Sequence, residues 1–270
     1  MIRTGLSLSG GSIRGAAHIG VLNELNKQNM EITHIAGTSA GAVIAGLYAC
    51  GMKPETMKKE LDELSLRKLI DIRLGKKGFV KGKRIYDKLL QLTDGKYFTD
   101  LEIPLAIVSL DLLSGKLVVI RSGEVAKAIH ASVAIPGIFA PVNYGNQLLV
   151  DGYILNNNPV DIVKEMGAKH ITAVCLRGSK DQQPKNIVHQ LSRYIGVASK
   201  YHTNQLVEKY ADVIIEIDLQ GVGGFQKKSL GKFVELGREQ ACDAFSISEL
   251  NQHTNNCMYP QEFSEKRLTV

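Results

Sequence analysis

The sequence predicts a three-layer α/β/α domain built on a mostly parallel central sheet, and three observations carry that prediction. Short apolar runs of strand length, at residues 6–9, 32–36, 103–110, 147–150, 170–176 and 212–217, alternate with longer segments of helical period. Two glycine-rich turns, Gly10–Gly15 and Gly37–Gly41, lead from such runs straight into helical sequence. The 270 residues and 44% hydrophobic composition suffice for one sizeable core, with no repeat, low-complexity segment or linker to divide it. A single domain over residues 1–250 and a polar tail over 251–270 are therefore expected.

The first strand, Leu6-Ser7-Leu8-Ser9, ends in Gly10-Gly11-Ser12-Ile13-Arg14-Gly15, and a helix follows from near Ala16 with Ile19, Leu22 and Leu25 on one face. Loop amides and a helix N-terminus converging on one point make an anion site, suited to a phosphate or to the oxyanion of an acyl-transfer intermediate. The dinucleotide fingerprint fails because Ser12 holds its second glycine position, and a P-loop fails for lack of Gly-Lys-Ser/Thr. An oxyanion loop, with the amides of Gly10, Gly11 and Ser12 as donors, is the reading that fits Ser39.

Ser39 lies in Gly37-Thr38-Ser39-Ala40-Gly41, between the apolar run Ile32–Ala36 and the small-residue helix Val43–Ala49. Small residues on both sides permit a sharp elbow that lifts the hydroxyl out of the sheet at a helix N-terminus, which makes Ser39 a candidate nucleophile with Gly37 and Gly41 as the elbow glycines. The competing role for Ser39 is an ordinary helix N-cap.

Residues 52–84 turn polar and basic: Lys53, Lys58, Lys59, Arg67, Lys68, Arg73, Lys76, Lys77, Lys81, Lys83 and Arg84 stand against Glu55, Glu60, Asp62, Glu63 and Asp71. Pro54 opens a helix with Met57, Leu61 and Leu64 inward, and the segment is expected as a basic helical cap. It reads either as a solvated excursion or as a contact with an anionic membrane surface. A helix over 84–92, a hairpin joining 103–110 to 117–120 through Leu113-Ser114-Gly115-Lys116, and a short helix over 124–131 follow. Ser132-Val133-Ala134-Ile135-Pro136 is stiffened by proline, and Ile138 and Phe139 suit either an acyl pocket or the core.

Gln147–Val150 then runs into Asp151-Gly152-Tyr153, an acid at the end of a strand, where open α/β sheets place their chemistry. Alone, Asp151 is a turn former; after a glycine loop and an elbow it becomes the candidate base. Asn156–Asn158 are expected to cap the next helix, which Pro159 opens. Two buried strands, His170–Leu176 and Asp212–Ile217, flank a helix over 187–207, and a last helix over 230–250 closes the domain.

Together the Gly10–Gly15 loop, the Gly37–Gly41 elbow and Asp151-Gly152 resemble the patatin-like phospholipase family over about residues 4–163. The resemblance implies the patatin-like fold, an oxyanion loop supported by Arg14 and Gly15 and a Ser39–Asp151 dyad, and with them hydrolysis of lipid carboxylic esters of the phospholipase A or lysophospholipase kind. Two residues depart from the family pattern: Ser12 replaces a usual glycine, and Tyr153 replaces a small residue in a position to narrow the pocket. Transfer of the acyl group to an acceptor other than water, and lipid binding without catalysis, are the alternatives. A Ser-His-Asp triad would need His170, His189, His202 or His253, all in strand-start, polar helical or tail sequence; His18, in the first helix, is expected to be structural.

The formal charge of +6 suits an acidic partner surface. The basic residues are not interleaved with aromatics, which argues against nucleic acid. Cys50, Cys175, Cys242 and Cys257 are far apart and outside any ligand spacing, so reduced thiols, no metal and no cofactor are expected. No leader pattern or membrane-spanning run is present, and a cytoplasmic location follows as the expectation. Oligomeric state is not encoded in any pattern found.

Overall fold

A computed structural model describes residues 3–63, 82–177, 187–219 and 229–254. Its strands are β1 (Arg3–Leu8), β2 (Glu31–Thr38), β3 (Leu105–Asp111), β4 (Lys116–Ile120), β5 (Val142–Tyr144), β6 (Gln147–Asp151), β7 (Ile171–Arg177) and β8 (Val213–Asp218). Its helices are α1 (Ala17–Lys27), α2 (Ala40–Ala49), α3 (Pro54–Glu63), α4 (Lys83–Leu92), α5 (Val125–Ser132), α6 (Val160–Glu165), α7 (Ile187–Tyr210) and α8 (Leu230–Thr254). The strands form one sheet in the order β5-β6-β3-β2-β1-β7-β8, with β4 also on β3. The pairs among β3, β2, β1, β7 and β8 are parallel, and β4, β5 and β6 are joined antiparallel.

Alternation along each strand feeds two cores. Leu6, Leu8, Ile35, Leu105, Ile107 and Val174 point into the larger one, with residues of α1, α2, α5 and α8. Ala36, Ala106, Val108, Ile171 and Ala173 point to the other face, onto Val160, Ile162 and Val163 of α6 and Val207 of α7. Helices thus cover both faces of the sheet, the α/β/α arrangement expected. Helix α8 closes the larger core by backbone contact with α1. A Cβ on Gly20 would lie 1.8 Å from the Val234 carbonyl oxygen, and one on Gly237 would lie 1.9 Å from that of Ala17.

Several expectations change in detail. Ser12–Ala16 forms a 3-10 turn before α1. Strand β5, closed onto β6 by a turn with Gly145 at φ 61°, was not legible in the proline-flanked segment around it. Helix α8 continues to Thr254, into the expected tail, while 255–270 lie outside the described residues. Of the expected cap, 64–81 also lie outside them. Its first helix, α3, packs on α1 and α8. Three of its charges are matched, Lys58 and Asp62 by each other and Glu60 by Lys88, both pairs at 2.8 Å.

Candidate active site

Sheet register brings the site together. Thr38 at the end of β2 pairs with Val108 of β3, and Asp151 at the end of β6 pairs with Ser109, the next β3 residue. Strand β4 occupies the other edge of β3, pairing with both Val108 and Ser109. The parallel β2 and the antiparallel β6 therefore run head-on in one lane, and their C-terminal ends meet. Ser39 and Asp151 emerge from those two ends.

Ser39 adopts φ 53° and ψ −121°, a conformation rare for a residue with a side chain. Its side chain makes no capping hydrogen bond to α2, although it stands at the N-cap position. Instead it stands beside the Asp151 carboxyl, where it favours that group's ionised form. The elbow is held from both sides. The Ser39 N–H donates to Ser132 Oγ at 2.8 Å, and Ser132 Oγ donates to the Val108 carbonyl at 2.6 Å. Beneath it, a Cβ on Gly41 would lie 2.1 Å from the Leu8 carbonyl oxygen, and one on Gly37 2.4 Å from the Gly41 backbone, so the turn closes only with glycine at both positions.

Asp151 is 7% exposed and Ser39 5%. Burial pushes the Asp151 carboxyl up to about 6, against the opposing effects of the nearby Ser39 hydroxyl and of Tyr153 N–H, which donates to Asp151 Oδ1 at 2.9 Å. The carboxyl is thus mostly ionised at neutral pH, yet far more basic than an exposed aspartate.

The glycine loop lies against this pair. A Cβ on Gly10 would stand 3.0 Å from Ser39 Cβ, and one on Gly15 2.5 Å from Ala40 Cβ. Of the three expected oxyanion donors, the Gly10 amide is already engaged in this structure. Its N–H donates to the Asn157 backbone carbonyl at 3.1 Å and to Asn157 Oδ1 at 2.8 Å. Gly11 and Ser12 follow, with Ser12 at φ 55°, so this serine takes the left-handed conformation that the usual glycine would adopt freely. Arg14 donates through Nε to the Gly11 carbonyl at 3.2 Å and bridges the loop from within. The Tyr153 ring approaches Gly10, within 3.0 Å of where a Cβ would be. Burial raises the Tyr153 phenol above its ordinary range, with Arg14 opposing.

Asn156–Asn158 do not cap α6, whose N-terminus at Pro159 has no side-chain cap. They tie the Asp151 loop to the sheet. Thr38 Oγ1 donates to the Asn156 carbonyl at 2.7 Å, Asn157 takes the Gly10 amide, and Asn158 accepts from Ser7 Oγ at 2.5 Å while donating to the Val174 carbonyl at 3.0 Å. Ser132 and Asn157 are the site residues that local pattern could not reveal, because their partners lie 93 and 147 residues away.

Among the described residues no histidine joins the pair. His170 sits at the N-terminal end of β7, the edge opposite the site, with its side chain 73% exposed. His18 is fully buried, shares a hydrogen bond of 2.8 Å with the Ser9 carbonyl, and is driven by burial down to about 4. It is a neutral strut beneath the glycine loop, as expected of it. Phe139 packs on the larger core, whereas Ile138 is 48% exposed. No group of three or more His, Cys, Asp or Glu residues capable of holding a metal occurs among the described residues.

Residues 6–164 match the patatin-like phospholipase family model. The chain belongs to the patatin-like phospholipase family. An uncharacterized NTE family protein of Mycobacterium bovis is 34% identical over 200 residues, 72% of this chain and 56% of the relative. The lysophospholipase NTE1 of Debaryomyces hansenii is 30% identical over 196 residues, 70% of this chain but 13% of that protein. This patatin-like chain therefore spans about half, or much less, of the relatives it matches. Among solved structures, VipD from Legionella pneumophila superposes with a TM-score of 0.62 at 16% identity, covering 90% of this chain and 67% of VipD. The type III effector ExoU gives 0.57 at 15% identity, covering 93% of this chain and 54% of ExoU. Both likenesses speak for the fold.

Proposed function

We propose that this patatin-like chain is a serine lipid acyl hydrolase of the phospholipase A or lysophospholipase kind, working through a Ser39–Asp151 dyad. The observation that carries the proposal is the meeting of a strained serine elbow and a buried, raised-pKa aspartate at two opposed strand ends. Membership of the patatin-like phospholipase family supports lipid as the substrate.

In this reading Asp151 accepts the Ser39 proton as Ser39 Oγ attacks the ester carbonyl carbon. Raising the carboxyl to about 6 brings it nearer the pH at which it works, which improves an otherwise weak base. Negative charge developing on the carbonyl oxygen is met by the Gly11 and Ser12 amides, with Ala40 N–H at the open N-terminus of α2 as a further donor. Each such donor typically stabilises the transition state by about 3 kcal/mol. Collapse of the tetrahedral intermediate breaks the ester C–O bond, and the proton held on Asp151 passes to the departing alcohol. A water, deprotonated by the same carboxylate, then attacks the acyl-Ser39 ester; the acyl C–O bond to Ser39 Oγ breaks, the proton passes from Asp151 back to Ser39 Oγ, and the fatty acid is released. Gly10 has a different role here: fixed by Asn157, it sets the loop against Ser39.

The test is incubation of wild type and Ser39→Ala with a mixed lipid extract, followed by mass spectrometry. Free fatty acid and the matching lysolipid or glycerophospho-alcohol should appear with wild type only. Acylated acceptors in place of fatty acid would make the chain a transferase, and identical lipid profiles for both proteins would refute the proposal.

A further inference from the structure

Helix α7 has two faces of opposite character. Its inner face, with Ser199, Thr203 and Val207 buried, packs over the site loop: Ser199 Oγ donates to the Tyr153 carbonyl at 2.6 Å, and a Cβ on Gly196 would meet the Tyr153 hydroxyl at 3.7 Å. The outer face carries Ile187, Tyr194, Val197 and Tyr201, exposed by 71, 72, 65 and 74%. At about 100° per residue these four fall within one quarter of the helix circumference, which the exposed Gln190 shares, on the side opposite the buried edge. So many large apolar side chains standing free on one helix face mark a surface that meets something.

Charge identifies the partner. From Ile187 to Val207 the helix has no Asp or Glu, its one acid, Glu208, lying two turns beyond Tyr201, and Arg193 and Lys200 follow each other two turns apart along one flank of the stripe. Tyrosines with aliphatic neighbours, edged by cations and with no acid between Ile187 and Tyr201, match the chemistry of an anionic lipid headgroup region, where aromatic rings sit between water and acyl chains. Ile138 and Ile154, exposed on the two segments that flank Asp151, add apolar surface beside the site. We infer that the outer face of α7 seats the protein on an anionic lipid bilayer, one helix diameter from the Asp151 loop. This docking deepens the lipid-hydrolase reading and rests on it, since a lipid ester must leave its bilayer to reach Ser39. It shares no residue with the basic segment 52–84.

The experiment uses the Ser39→Ala chain, so that lipid is not consumed, and measures co-sedimentation with phosphatidylcholine vesicles and with equimolar phosphatidylcholine–phosphatidylglycerol vesicles. Binding to the mixed vesicles is expected, weakened at least tenfold by Tyr194→Ser, Val197→Ser and Tyr201→Ser together, and weakened in the same direction by Lys200→Glu. In the Ser39 chain the triple substitution should lower hydrolysis of vesicular lipid tenfold or more and leave turnover of a soluble short-chain ester unchanged. Equal vesicle binding with and without the stripe overturns the inference. So does failure of the Ser39→Ala chain to bind vesicles, or a dimer in light scattering that the triple substitution dissolves, which assigns the face to a second copy. The two readings fail separately: stripe-dependent vesicle binding by a chain that hydrolyses neither lipid nor soluble ester refutes the hydrolase and leaves the docking face intact.

Discussion

The Ser132 hydroxyl accepts the Ser39 amide at 2.8 Å while donating to the Val108 carbonyl at 2.6 Å, which pins the serine elbow to β3. Ser132→Ala leaves a buried donor and a buried acceptor without partners, at a cost of about 1–3 kcal/mol. It also frees the elbow from its strained φ. Thermal unfolding should fall by roughly 2–10 °C, and kcat toward a soluble ester should drop by on the order of tenfold to a hundredfold, with KM little changed. A variant matching wild type in both respects would show that the elbow is held without Ser132.

Asp151, raised by burial to about 6, must be ionised to accept a proton. Hydrolysis should therefore rise with pH through about 6 and fall tenfold per pH unit below it. A pH–rate profile of kcat/KM against a soluble ester, whose own ionisation is silent in this range, checks the sign. A rate that is flat between pH 5 and 7 would exclude Asp151 as the base.

The same shift has a stability consequence. The folded protein holds the Asp151 proton more tightly than the unfolded chain does, so stability present at low pH is lost as pH rises from the ordinary carboxylate range through about 6. The loss amounts to a few kcal/mol, at about 1.4 kcal/mol per pKa unit. Asp151→Asn should abolish this slope and be more stable than wild type at pH 7 while inactive, a trade of stability for chemistry. Denaturant titrations at pH 4.5 and 7 measure it.

Ser12, exposed and at φ 55°, occupies the left-handed region that costs a residue with a side chain about 1 kcal/mol. Ser12→Gly is expected to raise the melting temperature by roughly 2–4 °C and to retain activity, because the substitution keeps the same backbone N–H donor at that position. Loss of activity on this substitution would mean that the hydroxyl itself takes part.

The two glycine turns of the candidate site were legible in sequence because glycine spacing reflects contacts that nothing larger survives. Gly37 and Gly41 abut backbone, and Gly10 and Gly15 abut the Ser39 and Ala40 side chains. The alternation of apolar runs likewise located six of the eight strands as separate runs or as one arm of the hairpin, and β4 as its other arm. Long-range polar pairing left no local trace. Asn156–Asn158 carry the composition of helix caps, yet tertiary context draws them to Thr38, Gly10 and Ser7, across the sheet. The Gly10 amide looked available for an oxyanion for the same reason. Strand β5 was hidden because Val142-Asn143-Tyr144 is short and follows Pro141. It gains its place only by pairing with β6.

The dyad is tested most directly by labelling Ser39 with a fluorophosphonate probe, in which Ser39 Oγ displaces fluoride from phosphorus, and mapping the adduct by peptide mass spectrometry. A single adduct on Ser39, with a labelling rate that rises through about pH 6 in wild type and falls by at least a hundredfold in Asp151→Asn, is the predicted result. Labelling at Ser39 that proceeds at the wild-type rate without the Asp151 carboxylate would contradict the dyad.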